Sequence, residues 1–421
     1  AQRPQSYMGQ NSNSLADSIY KLRFVRLRQS VLFLYALCVL SGEFAAQNFK
    51  QIHDGVEYAQ VDHKIGADPV KINLLRLDLT KVRLDVRHAI DRAIGLEPTS
   101  SIAARGRALA AINAGFFRLD KSVLAGEAAD YLIIDGELFS EGNRGRVGLH
   151  ITNDKKRTNT AIEHFSINGW LGSSDSRFTI KLSGMNRERS DNELILYSSR
   201  FGASTLTLEK STEIVISNCQ RGAKRYNFLN YCKNYHVLND VKNTPIPVGG
   251  YVVSMGTGQF RNKELLLNEL KTFESLQNKK KTLFLRIEDS ITGNSLFSPE
   301  HDLVAGVPKL IKSGKIDVTW EQEKASKSFV ETRHPRTAVA KMKDGKFLMV
   351  TVDGRQPGVS VGMNLFELAE YLLSLGAVDA MNLDGGGSTT MFLDGKVVNT
   401  PSDKEGERRV GDAILVTLRK K

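Results

Sequence analysis

Residues 346–390 read KFLMVTVDGRQPGVSVGMNLFELAEYLLSLGAVDAMNLDGGGSTT. Lys346–Val352 is apolar and β-branched and stops at Asp353-Gly354-Arg355, which predicts a buried strand. Met363–Leu375 sets Leu365, Phe366, Ala369, Leu372 and Leu373 at helical spacing. Asn364 with Glu367 three residues on is a capping-box start, and Gly376 suits a helix C-terminus. Ala377–Leu383 is apolar again and stops at Asp384. The order strand–helix–strand predicts two parallel strands joined by a right-handed crossover. If those strands are neighbours, Asp353 and Asp384 emerge together at one carboxyl edge, where sheets of this kind hold ligands.

The residues at that edge carry chemistry. Two carboxylates can act as general acid and base, or as nucleophile and acid, at a glycosidic bond. They could instead hold a divalent cation such as calcium or magnesium through oxygen, or each Asp-Gly could simply be a turn. Gly385, Gly386 and Gly387 lack side chains, so ligand oxygens could approach their backbone N–H groups. Ser388, Thr389 and Thr390 add hydroxyls. No Lys follows the glycines, so this is not a Walker loop. Arg336 and Arg355 supply guanidinium groups suited to phosphate, or to structural ion pairs. Asn113, at the end of the apolar run Ala108–Ile112, could bind a sugar or cap a turn.

Upstream, strand-like runs dominate: Lys71–Leu79, Val82–Val86, Tyr131–Ile134 and Glu137–Ser140 around Asp135-Gly136, then Glu193–Tyr197, Thr205–Leu208 and Glu213–Ser217. Residues 218–247 hold Pro245, Pro247 and two cysteines and read as an inserted loop. Residues 261–281 read as an amphipathic helix ending in the basic run Lys279–Lys281, a pattern typical of a solvated helix end.

The chain has 421 residues, 41% hydrophobic and 25% charged, the balance of a folded globular protein. Its net charge of +11 suits anionic ligands, though a solvated basic surface has the same charge. Lys21, Arg23, Arg26 and Arg28 precede the apolar run Val31–Leu40, and Ser41–Ala46 contains small residues. That is the layout of a signal peptide within an N-terminal extension of residues 1–46, and the run is too short for a bilayer, which needs about 20 residues. Cys38 would leave with it. Cys219 and Cys232 then remain as a pair that could bridge in an oxidising compartment or stay as thiols. No CxxC, HExxH or His-rich cluster is present, and no histidine stands in a triad or metal spacing.

Taken together, Arg336-Thr337-Ala338-Val339, Val352-Asp353-Gly354-Arg355, Gly362-Met363, Glu367-Leu368-Ala369 and Asn382–Thr390 resemble the phosphodiester glycosidase domain family. Weaker agreement runs through Ala110–Phe117, Asp135-Gly136-Glu137, Glu193–Tyr197, Pro247–Val253, Ala305–Leu310, Asn399–Ser402 and Glu407-Arg408, covering roughly residues 50–418. Ala114 and Ala340 stand where Gly is common, Arg409 where Pro is, and Asp412 where Asn is. The cysteine segment has no clear counterpart.

The resemblance implies an α+β fold, mixed β-sheets flanked by helices with the C-terminal strand–helix–strand unit carrying the site, and an extracytoplasmic hydrolase that cleaves a sugar-1-phosphodiester, such as a GlcNAc-1-phosphodiester, to free sugar and phosphomonoester. It implies that Asp353, Asp384, Arg336, Asn382 and the glycine turn line the site, and carboxylate chemistry makes Asp353 and Asp384 the catalytic groups. Asn113, Arg336, Thr337, Arg355, Asn382, the Gly385–Gly387 turn, Ser388, Thr389 and Arg408 would contact substrate. The alternative is a non-catalytic module that binds anionic cell-surface glycan. Nucleic acid is not expected as a partner, since no basic–aromatic stripe is present. Nor is a membrane span expected once the signal is removed.

Overall fold

The computed structural model describes residues 48–419 apart from 93, 143–144, 174–177, 222–228, 259–261, 276–281 and 290–296. The expected signal peptide and the Lys279–Lys281 run fall outside the described residues. The described fold is mostly β, with four α-helices: Thr99–Arg105, Lys263–Ser275, Lys327–Glu331 and Leu365–Ser374. Two eight-stranded sheets, two five-stranded sheets and one two-stranded sheet make up the rest. Nearly every strand pair is antiparallel. The parallel pair is Gly184–Met185 with Leu194–Ser198, so the sheets are less mixed than the resemblance implies.

The unit that carries the site is wired differently from the expectation. Arg336–Met342 lies between Phe347–Val352 and Ala377–Asn382 and is antiparallel to both. A tight turn explains this. Met342 N–H donates to Lys346 O at 2.9 Å across Asp344-Gly345, with Gly345 at φ +83°, so Arg336–Met342 folds straight back onto Phe347–Val352. Asp68–Leu77 takes the other flank of Phe347–Val352. Ala377–Asn382 must therefore add beyond Arg336–Met342. Two antiparallel steps restore direction, so both strand ends still emerge at one edge of the sheet, about 10 Å apart at two strand spacings.

Helix Leu365–Ser374 covers one face of this sheet. Asn364 Oδ1 accepts from Phe366 and Glu367 N–H at 3.0 and 2.9 Å, and Glu367 accepts from Asn364 N–H at 2.9 Å, closing the capping box. Leu365, Leu368, Ala369 and Leu372 pack on Ile72, Leu74, Ala338 and Val350. The opposite face joins a second core. There Leu75, Val339, Met349 and Met381 meet Val86, Ile112 and Ile414 of one five-stranded sheet and Leu149 and Ile151 of the other. That shared core brings the end of Ala110–Asn113 beside the end of Ala377–Asn382.

Two further expectations change. Residues 218–247 are not a loop in the described part: Ser211–Arg221 and Leu229–Val241 form a long antiparallel pair with Cys219 opposite Cys232, their sulfurs 2.10 Å apart. Tyr235 and Val237 of the second strand lie opposite Ile216 and Ile214 and pack with them on a third core, a signal masked in 218–247 by the Asn, Tyr and Pro content. Thr205–Leu208 is not a strand. Thr205 and Thr207 instead turn their hydroxyls to the buried Glu213 carboxylate.

Candidate active site at the Asp384 edge

Asp384 follows Asn382-Leu383 at the carboxyl end of its strand. Its N–H donates to Ala114 O at 2.9 Å, and its own carbonyl accepts from Asn113 Nδ2 at 2.7 Å. Asn113 is completely buried. Its Oδ1 accepts from Thr337 Oγ1 at 2.8 Å and from Thr390 N–H at 3.1 Å. Asn113 and Thr337 thus knot three chain segments behind Asp384 rather than face a ligand. Asn382 donates through Nδ2 to the carbonyls of Val307 and Leu383 at 2.7 and 2.8 Å, a similar supporting task.

The glycine turn serves a purpose the sequence does not reveal. The N–H groups of Gly385, Gly386, Ser388 and Thr389 already donate within this region, to Asp384 Oδ1, Pro335 O, Gly385 O and Gly386 O. They are not free to cradle an anion. What the absent side chains supply is room for arginines. A Cβ on Gly386, held at φ +61°, would come within 3.1 Å of Arg355 Nη2. A Cβ on Gly387 would lie 2.2 Å from both Arg408 Nη2 and Asp403 Oδ1. Arg408 grips Asp403 with two hydrogen bonds of 2.7 and 3.1 Å, which fixes its guanidinium over the turn. Arg355 is exposed and, among the described residues, forms no ion pair with a carboxylate.

Asp384 itself is half-buried, and its carboxyl is pushed up to about 6. Burial is the largest cause. The Ser388 hydroxyl, the Arg408 charge and the Gly385 N–H oppose it. Ser388 lies close enough to act on that carboxyl although its Oγ makes no hydrogen bond of good geometry. Asn382 Oδ1, Thr389 Oγ1 and Thr390 Oγ1 are also buried without a partner. Such a run of unsatisfied polar atoms along one segment is unusual outside functional sites.

Asp353 looks equivalent in sequence and is not equivalent in space. Its carboxylate accepts from Asn399 Nδ2 at 3.2 Å and from Thr400 N–H at 3.2 and 3.1 Å. Its carbonyl accepts from Ser360 Oγ at 2.6 Å. The side chain ties down the 399–400 segment. Burial raises its pKa, and the Asn399 and Thr400 bonds oppose that rise. Arg336 is likewise occupied. It is 1% exposed, and its Nε and Nη2 donate to the carbonyls of Met363, Phe329 and Thr332 at 2.9, 2.8 and 2.7 Å. Its guanidinium stacks on Phe329, and burial foremost, helped by the Arg355 charge, pulls its pKa down to about 9.

The structure therefore gathers Asp384, Ser388, Arg355, Arg408 and the glycine turn, with Asn113, Thr337, Asn382 and Arg336 as their scaffold. The sequence pattern assigns no role to Asp403, Asn399 or Thr400 and marks Asp412 only as a departure from the resemblance. The signal for Asn399 and Thr400 is the family-like stretch Asn399–Ser402, and for Asp403 its closeness to Arg408. Among the described residues no three His, Cys, Asp or Glu side chains gather as a metal-holding group. A cavity of about 490 Å3 lined by Met185, Arg200, Tyr251 and Phe297 lies in another part of the fold and includes none of these residues. Chemistry, not volume, marks the edge as the site.

An acidic strand end flanked by guanidinium groups is the candidate site of this sheet, and residues 231–417 match the phosphodiester glycosidase family. That match covers a little under half of the chain. It is 38% identical to human N-acetylglucosamine-1-phosphodiester α-N-acetylglucosaminidase over 116 residues, which is 25% of this chain and 22% of the relative. The bovine enzyme of the same name is 37% identical over 115 residues, covering 25% and 21%. The matched stretch thus spans about a fifth of the length of these curated relatives. A Synechocystis protein of solved structure shares the fold, with a TM-score of 0.70 at 21% identity over 89% of this chain and 64% of that one. A Burkholderia pseudomallei protein with a provisional description as exported gives 0.64 at 25% identity over 83% and 74%. Among the described residues no helix is long and apolar enough to cross a membrane.

Proposed function

We propose that this chain hydrolyses a sugar-1-phosphodiester, of the GlcNAc-1-phosphodiester type, outside the cytoplasm. One observation carries the reading. Asp384, its proton affinity raised toward neutrality, stands half-exposed on a turn flanked by the unpaired Arg355 and the fixed Arg408. A carboxyl poised near working pH suits proton transfer. Guanidinium groups suit a phosphodiester monoanion. In this reading Arg355 holds the phosphate, and water adds to the anomeric carbon while the bond from that carbon to the phosphate oxygen breaks. Asp384 moves the proton between water and the leaving phosphomonoester. The free sugar takes the hydroxyl. Asp353 supports the 399–400 wall and takes no part in the bond changes. The signal-like N-terminus and the description of the Burkholderia neighbour support export.

Incubating purified protein with the methyl phosphodiester of GlcNAc-1-phosphate and with related sugar phosphodiesters tests this. Release of free sugar that is lost in Asp384→Asn is the expected result. Release of sugar by neither protein, with saturable binding retained, would point to the glycan-binding alternative.

A further inference from the structure

The carboxyl group nearest in role to Asp384 is not Asp353 but Asp412, the first residue of the strand Asp412–Leu418. Both aspartates are anchored on the same dipeptide. Asp384 N–H donates to Ala114 O at 2.9 Å, and Ala114 N–H donates to Asp412 O at 3.2 Å. The next amide, Gly115 N–H, donates to Asp412 Oδ1 at 2.6 Å. Asp412 is 1% exposed, and its second oxygen, Oδ2, is buried without a partner. The enclosure is tight. A Cβ on Gly115 would meet Asp412 Oδ2 and Val304 Cγ2 at 3.2 Å and Ala305 O at 3.4 Å. Among the described residues, no arginine or lysine enters this enclosure to balance a charge on Asp412. The cation near Asp384, Arg408, is engaged with Asp403.

We propose that Asp412 is a positioning residue for Asp384 that works only while it carries a proton. As a neutral acid it fixes the Ala114-Gly115 dipeptide, and through Ala114 O the Asp384 backbone, without adding charge to the site. Once ionised, it places a second negative charge beside the already ionised Asp384 in a low-dielectric enclosure, and that charge opposes phosphodiester binding. The groups facing Asp412 support this order of events. Burial pushes its carboxyl up to about 7, the Gly115 N–H pulls down, and the Asp384 charge pushes up further. Asp384, faced by Ser388, Arg408 and the Gly385 N–H, ionises first, at about 6. Between about pH 6 and about pH 7 the two carboxyls thus hold one proton, and their titrations belong to the pair.

The inference rests on the role given to Asp384 above, and the test separates the two. The first measurement is kcat/KM for the GlcNAc-1-phosphate methyl diester between pH 4.5 and 9 in the wild type and in Asp412→Asn, which is permanently neutral. The wild type is expected to lose activity above pH 7 by about tenfold per pH unit. The variant is expected to lose that alkaline limb, with its acid limb in place. Superimposed profiles, or a folded variant without activity at any pH, would overturn the proposal. The second measurement needs no turnover. In the infrared difference between wild type and folded Asp412→Asn, a wild-type carboxylic-acid C=O band should persist above pH 6 and disappear near pH 7; the difference isolates Asp412 from Asp302 and Glu141, buried acids also pushed up to about 7. Its absence at pH 6 overturns the proposal even if the substrate reading fails. If the band is present but no phosphodiester is cleaved, the substrate reading is the part that fails.

Discussion

Asp353 and Asp384 close two buried strands of one sheet, point to the same edge, and are each followed by glycine. One is closed down and the other is left open. The Asp353 carboxylate accepts from an amide side chain and a backbone N–H, so it behaves as a clamp on the 399–400 segment. The Asp384 carboxyl has one backbone hydrogen bond, a hydroxyl beside it, and a guanidinium already bound elsewhere. Position in a sheet gives two residues the same address. What they can do depends on how many of their lone pairs the fold has already used.

The comparison breaks most sharply at Asp384→Asn. The side chain keeps its shape and loses its proton chemistry, so kcat is expected to fall by about 10³-fold, within the range for general acid–base groups. Circular dichroism and melting temperature should stay within the wild-type range. A fall smaller than tenfold would move proton transfer to another group. Asp353→Ala is expected to act on stability instead. Removing the acceptor leaves Asn399 Nδ2 with only Thr389 O and frees the part-buried Thr400 N–H, so urea denaturation should show a loss of about 1–2 kcal/mol. Turnover measured well below the melting temperature should remain within about tenfold of wild type. If Asp353→Ala instead abolishes turnover in folded protein, the two strand ends share the chemistry after all.

A third comparison uses pH. The Asp412 carboxyl is raised from an unfolded value of about 3.9 to about 7, so between those values the folded state holds a proton that the unfolded state has released. Stability from this group is complete below the unfolded value and is lost as pH rises through the folded one. Asp412→Asn does not titrate. The variant should therefore gain on wild type between pH 4 and pH 7 by about 2–3 kcal/mol, read as a difference in denaturation midpoints. An equal gap at both values would mean that Asp412 ionises normally in the folded protein.

Much of this edge is visible in sequence, and the reason is local. A β-branched run that ends in Asp-Gly names a strand and its last residue, and Asn364 with Glu367 names a helix start, because nearby side chains and their own backbone determine both. The order of strands is not local. Arg336–Met342 enters between the two acidic strands because a turn at Asp344-Gly345 folds it there, and no periodicity in the acidic strands says so. The same limit hides Asp412, whose partner Gly115 is 297 residues away along the chain. It also disguises Arg336, which as a sequence feature is a cation suited to phosphate and in the fold is a buried donor to three carbonyls. A motif shows which groups arrive at an edge; the pairing around it shows which are still free.

Arg355 sharpens the contrast because it belongs to one strand end by sequence and to the other by position. It follows Asp353 by two residues, takes a left-handed φ of +61°, and brings its guanidinium over Gly386. That conformation is uncommon for a residue with a side chain and is kept where surroundings enforce it. If Arg355 binds the phosphodiester equally in ground and transition states, Arg355→Ala should raise KM about tenfold and leave kcat within about threefold. The KM defect should shrink as salt rises, since screening already weakens the wild-type contact. A loss confined to kcat would show that the guanidinium meets charge that appears only in the transition state, as the fixed Arg408 is placed to do. A variant unchanged in both constants would leave phosphate binding to Arg408 and make the left-handed turn at Arg355 a matter of packing against Gly386.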